Sequence, residues 1–167
     1  MCALFPFVIG WTMATILFAD DCANIREFCR QELEEEGYRV LLARDGKDAV
    51  DIVQSERPDL AILDIWMPRA NGFDAAERIA AIDPGIPVIL FTNNDELCLR
   101  DPRSAFAAAC VEKGDDFTEL KRTIVSVLAR PNGTSAFRRG LPPIQRHLTA
   151  APHSRVSGAV QPEPRTQ

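Results

Sequence analysis

Three carboxylates, a hydroxyl and an amine stand at or just past the ends of four apolar runs: Asp20 and Asp21, Asp64, Thr92 and Lys113. Carboxylates crowded together repel, and a hard divalent cation such as Mg²⁺, which takes oxygen ligands and keeps several waters, relieves the repulsion. With Asp20 and Asp21 holding the metal, Asp64 is free to attack phosphorus as a nucleophile and form an aspartyl phosphate. The phosphoryl oxygens then need fixed counter-groups, and the Lys113 ammonium and Thr92 hydroxyl supply a cation and a donor. Taken singly, each residue has a plainer role: Asp20, Asp21 and Thr92 suit helix N-caps, and Lys113 suits solvent. Their joint placement is what those separate roles leave unexplained.

The elements that must position these groups alternate short apolar runs with amphipathic stretches, the pattern of a parallel sheet with crossover helices on both faces. The runs are 14–19, 38–43, 60–63, 87–91 and 107–111. Between them Ile25, Phe28, Cys29 and Leu33 fall at helical spacing, as do Phe73, Ala76 and Ala80, and then Phe117, Leu120, Ile124 and Leu128. The expected fold is α/β, a single domain with a doubly wound, five-stranded parallel sheet. In such sheets the ligand crevice lies beyond the carboxyl ends of the strands, so strand-end residues far apart in sequence converge.

The chain resembles a response regulator receiver domain of two-component signalling, with a flavodoxin-like sheet. The resemblance covers about 13–129 and rests on Ile16-Leu17-Phe18-Ala19-Asp20-Asp21 with Arg26 following. It rests equally on Asp59-Leu60-Ala61-Ile62-Leu63-Asp64-Ile65-Trp66-Met67-Pro68 with Gly72 beyond, Thr92 closing the fourth run and Lys113 following the fifth. It implies Asp64 as phosphoacceptor, Asp20, Asp21 and Asp64 as Mg²⁺ carboxylates, the backbone carbonyl of Trp66 as a further ligand, and Thr92 and Lys113 at the phosphoryl group. It also implies a phosphohistidine donor, on a sensor histidine kinase or a histidine phosphotransfer protein. The only catalysis implied is of the domain's own phosphorylation and dephosphorylation.

Departures from the family pattern fall on the output side of the site. Gly114 stands where a proline joined by a cis bond usually follows the lysine, and a cis bond without proline costs about 3 to 4 kcal/mol, so a trans or mobile lysine loop is expected. Cys110 replaces the usual switch aromatic, and a thiol cannot swing in and out as a ring does. Phe106 stands where a helix-ending glycine is common, and Pro102 interrupts the fourth helix, which is expected to be short and irregular. Asn93, Asn94 and Trp66 crowd the mouth of the site.

Residues 130–167 are rich in Pro, Gly, Ser, Thr and Ala without periodicity, and are expected to form a disordered tail. The tail is basic, with Arg130, Arg138, Arg139, Arg146, Arg155 and Arg165 against Glu163 alone, in a chain of net charge −5. A solvated linker or translation run-on is preferred there over a nucleic-acid contact, and no DNA-binding domain is expected. Residues 1–12 read as a start-site artefact or disordered extension upstream of Met13, with a hydrophobic anchor as the alternative. Pro6, Gly10 and the absence of a basic leader argue against a membrane segment. Five cysteines, at 2, 22, 29, 98 and 110, show no metal-ligand spacing and suit reduced thiols in the cytoplasm.

The leading reading is a stand-alone cytoplasmic receiver that takes a phosphoryl group onto Asp64 and signals by contact with a downstream protein still to be identified. Oligomeric state is open. The alternative keeps the fold as a phosphorylation-independent binding module. A Mg²⁺-dependent phosphohydrolase ranks last, because Trp66 stands where such enzymes place a second aspartate.

Overall fold

The structure, a computed structural model, describes residues 13–94, 96–114 and 117–130. Both extensions expected from sequence, 1–12 and nearly all of 130–167, lie outside the described residues. Strands β1 (Thr15–Ala19), β2 (Arg39–Ala43), β3 (Leu60–Asp64), β4 (Val88–Thr92) and β5 (Ala109–Glu112) form one parallel sheet in the order β2-β1-β3-β4-β5. Helices α1 (Ala23–Glu35), α2 (Gly46–Glu56), α3 (Gly72–Ile82), α4 (Glu96–Arg100) and α5 (Thr118–Leu128) make the crossovers. This is the doubly wound α/β fold expected.

The central strands β3 and β4 are buried at every position, and β1 at all but its first. They read as continuous apolar runs because helices cover both faces. Alternate residues supply two cores: Leu17, Ala19, Leu63 and Leu90 meet α2 and α3, while Ile16, Phe18, Ile62 and Ile89 meet α1 and α5. In α1 Cys29 and Leu33 are fully buried, but Phe28, which shares their apolar spacing, is half exposed and lies edge-on to Phe117 with centroids 5.3 Å apart.

Helix ends follow local chemistry. Asp45 caps α2 by accepting from the Asp48 N–H at 2.9 Å, and Asn71 caps α3 by accepting from the Asp74 N–H at 2.9 Å. The fourth helix is short, as its proline demands. Asp101, immediately before Pro102, is extended (φ −94°, ψ 119°), α4 stops at five residues, and the chain continues as a 3-10 turn over Pro102–Phe106. The expectation of reduced thiols is corrected here: Cys98 of α4 and Cys110 of β5 form a disulfide. Sequence separation hid the pairing, because only the crossover from β4 to β5 brings α4 over β5. Cys22 and Cys29 are free thiols.

Candidate phosphoryl-acceptor site

Parallel strands all end on the same edge of the sheet, so Asp20 just past β1, Asp64 closing β3, Thr92 closing β4 and Lys113 just past β5 arrive together. Asp20, Asp64 and Thr92 are buried, whereas Asp21 is exposed at the rim. One oxygen from each of Asp20, Asp21 and Asp64 lies within 4.8 Å of the others.

Backbone anchors fix these groups. The Asp20 N–H donates to the Ala43 carbonyl at 3.2 Å, and Arg26 of α1 donates to the carbonyls of Asp20 at 2.7 Å and Asp21 at 3.0 Å. The arginine thus holds the acidic turn by its backbone, leaving the carboxylates facing the cleft. The Cys22 N–H donates to Asp20 Oδ1 at 2.8 Å. The Lys113 N–H donates to the Thr92 carbonyl at 2.7 Å, extending the β4–β5 pairing to the lysine. Thr92 Oγ1 accepts from the Asn94 N–H at 3.3 Å, which leaves its own proton available as a donor.

Lys113 Nζ bridges two carboxylates, at 2.7 Å from Asp20 Oδ2 and 3.2 Å from Asp64 Oδ1. Its ammonium also sits 5.6 Å from the centroid of the Phe91 ring. Among the described residues no peptide bond is cis, and the lysine reaches the cluster with Gly114 beside it. Burial pushes the Asp64 carboxyl above the usual carboxylate range, against the pull of Lys113 and a hydrogen bond from the Trp66 backbone. For Lys113 burial favours the neutral amine, but the bond to Asp20 and the charges of Asp20 and Asp64 outweigh it and hold the ammonium above the usual lysine range.

Three carboxylates against one ammonium leave an excess of negative charge in a cleft of hard oxygen donors, a set that fits a divalent cation such as Mg²⁺. Trp66, whose carbonyl is the fourth expected ligand, stands on the rim with 66% of its surface exposed. Gly72 makes the approach possible: its N–H donates to the Ile65 carbonyl at 3.0 Å, and a Cβ there would lie 2.3 Å from the Asp64 carbonyl oxygen. Every expected site residue is therefore at this edge. Sequence reasoning missed Asp45, which is fully buried and paired with Arg69 of the loop after β3. Its signal was present, since Asp45 precedes Gly46 at the start of a helix.

The chain belongs to the response regulator receiver domain family, whose model matches residues 16–124. It is 32% identical over 115 residues to the response regulator MprA of Mycolicibacterium vanbaalenii, a match covering 69% of this chain and 47% of that protein. MprA of Mycobacterium tuberculosis matches at the same identity and coverage. The chain thus spans about half the length of the curated relatives it matches. Among solved structures, response regulator TrrA of Thermotoga maritima in complex with Mg²⁺-BeF superposes with a TM-score of 0.66 at 36% identity, covering 69% of this chain and 99% of that one. A complex of the histidine kinase ThkA with TrrA contains a match at TM-score 0.66 and 37% identity, covering 70% of this chain and 100% of that one. Residues 16–124 are thus a receiver domain of the two-component response regulators. Among the described residues no helix is long and apolar enough to cross a membrane.

Proposed function

We propose that Asp64 accepts a phosphoryl group from a phosphohistidine, on a sensor histidine kinase or a histidine phosphotransfer protein, and that this receiver acts in the cytoplasm and signals by protein contact. The observation that carries this reading is the Lys113 ammonium set between Asp20 and Asp64 at the mouth of a three-carboxylate cluster. Mg²⁺ would be held by Asp20, Asp21, Asp64 and the Trp66 carbonyl, and would neutralise charge on the phosphoryl oxygens. The TrrA complexes, one with Mg²⁺-BeF and one with a histidine kinase, support the metal and the donor by similarity.

In the transfer, an Asp64 oxygen forms a bond to phosphorus while the bond from phosphorus to the donor imidazole breaks, its electron pair staying on nitrogen. Phosphorylation ties up the Asp64 oxygen in the new bond to phosphorus and moves the negative charge that Lys113 now neutralises onto the phosphoryl oxygens. The ammonium is then free to pair with a phosphoryl oxygen, and the Thr92 hydroxyl can donate to another. Asp20 remains as the second anchor of the lysine. The alternative, a phosphorylation-independent binding module, draws on one observation: Cys110 is tied into a disulfide and offers no mobile ring.

Site assignment is testable by trapping. After exposure to Mg²⁺ and a small acyl phosphate, borohydride reduction should convert Asp64, and no other aspartate, to homoserine in a peptide map. Conversion at a different carboxylate, or at none, would overturn the assignment.

A further inference from the structure

Helix α4 starts from the phosphoryl site and has few anchors, with Leu97 only partly buried against the core. Asn94, two residues past Thr92, donates its N–H to Thr92 Oγ1 at 3.3 Å, and its side chain accepts from the Glu96 N–H at 3.0 Å. The first turn of α4 is therefore chained to the Thr92 hydroxyl. The helix is only five residues long, Pro102 forbids its extension, and Cys98 is its one buried residue, with Leu99 mostly exposed. A helix this short draws little stability from its own hydrogen bonds, so its position depends on tertiary anchors. That one buried residue is covalently joined to Cys110, with the two Cα atoms 6.6 Å apart, inside the range a disulfide spans. Cys110 lies on β5, the edge strand of the sheet, and is only partly buried. The remaining described thiols do not compete for it: Cys29 is fully buried with its thiol pushed up to about 12 by burial first and the Asp20 charge second, and Cys22 lies at the start of α1, on the opposite face of the sheet from α4.

We propose that Cys98 and Cys110 are a reversible thiol–disulfide modification site that fastens α4 to β5 when oxidised and releases it when reduced, thereby moving the Asn94 contact to Thr92. The co-reactant is a small disulfide of the glutathione class. The more accessible Cys110 thiolate attacks one of its sulfurs, expelling one thiol and leaving a mixed disulfide on Cys110. Cys98 then attacks the Cys110 sulfur and displaces the second thiol. Two protein thiols and one small disulfide become one protein disulfide and two small thiols, and excess thiol drives the reverse. In a reducing compartment a bond of this kind is transient and reports redox state. Its effect on the aspartyl phosphate rests on the function proposed above, and thermodynamic linkage makes that effect mutual: phosphorylation would shift the thiol–disulfide equilibrium by the same factor that oxidation shifts phosphorylation.

The test equilibrates the full chain in graded ratios of oxidised to reduced glutathione, then combines alkylation, peptide mapping and amide hydrogen exchange. The expected result is a Cys98–Cys110 linked peptide that appears and disappears with the ratio. With it, amides over 96–106 should exchange about tenfold or more faster after reduction, while Cys98→Ser and Cys110→Ser exchange at the fast rate throughout. A linked peptide that never forms, or exchange rates equal in the two forms, would overturn the proposal. Aspartyl-phosphate decay should likewise differ between oxidised and reduced wild type and not between the same treatments of Cys98→Ser. Equal decay in wild type would overturn the connection to Thr92. Failure to take up phosphate in any form, with exchange behaving as described, would strike the phosphoacceptor reading and leave the α4 fastening supported.

Discussion

At the scale of single residues, the cleft balances charges that cannot coexist without partners. Burial disfavours the Asp64 carboxylate more than Lys113 restores it, so its folded value stands above its unfolded one. Such a group lends stability fully present below the unfolded value and lost as pH rises through the folded one. At neutral pH and in chelator, Asp64→Asn is therefore expected to raise the Tm by a few degrees, read by calorimetry. Lys113 is raised as well, first against burial and then by Asp20 and Asp64. Its contribution is present below the usual lysine range and lost only as pH climbs through the folded value, in alkaline solution. Lys113→Met leaves Asp20 and Asp64 buried and unpaired, and should cost about 3 kcal/mol in chelator, with part of the loss recovered on adding Mg²⁺. Urea titration at neutral pH checks both arms. Asp21→Ala should shift the Mg²⁺ midpoint upward by about tenfold in a Trp66 fluorescence titration, with Trp11→Phe as background. An unmoved midpoint would remove Asp21 from the ligand set.

At the scale of elements, what the sequence makes legible depends on where the physics is local. β1, β3 and β4 are recognisable as apolar runs because both their faces are buried, and Pro102 announces a broken fourth helix by its own geometry. Phe28 is misleading for the complementary reason: helical spacing places it with Cys29 and Leu33, but α1 turns it toward the edge of Phe117 instead of into the core. The Cys98–Cys110 bond is invisible to any local pattern, since only the strand order sets α4 over β5. Gly72 belongs to this scale as well, because α3 begins against the end of β3. Gly72→Ala should force the Asp64 carbonyl to move and cost about 2 kcal/mol or more. Asn71→Ala, which removes only the α3 cap, should cost about 1 kcal/mol and leave the metal midpoint unchanged. Chemical denaturation with a parallel Mg²⁺ titration separates a displaced acceptor from a weakened helix.

At the scale of the whole molecule, the site exists because of topology. Asp20, Asp64, Thr92 and Lys113 span more than half the chain, and parallel strand order alone delivers them to one edge. That convergence was legible as a set of strand-end residues, whereas the side-chain pairings within it were not: which carboxylates Lys113 bridges and how Arg26 grips the acidic turn depend on three-dimensional placement. The central claim is that this edge accepts a phosphoryl group on one particular carboxylate. Its most direct test is the intact mass of the full chain after Mg²⁺ and a small-molecule phosphodonor, beside the Asp64→Asn variant under the same treatment. The expected result is a gain of one phosphoryl group in wild type, abolished by chelator and absent in the variant. Equal gain in both proteins, or none in a folded wild type offered either a small donor or a phosphohistidine protein, would contradict it.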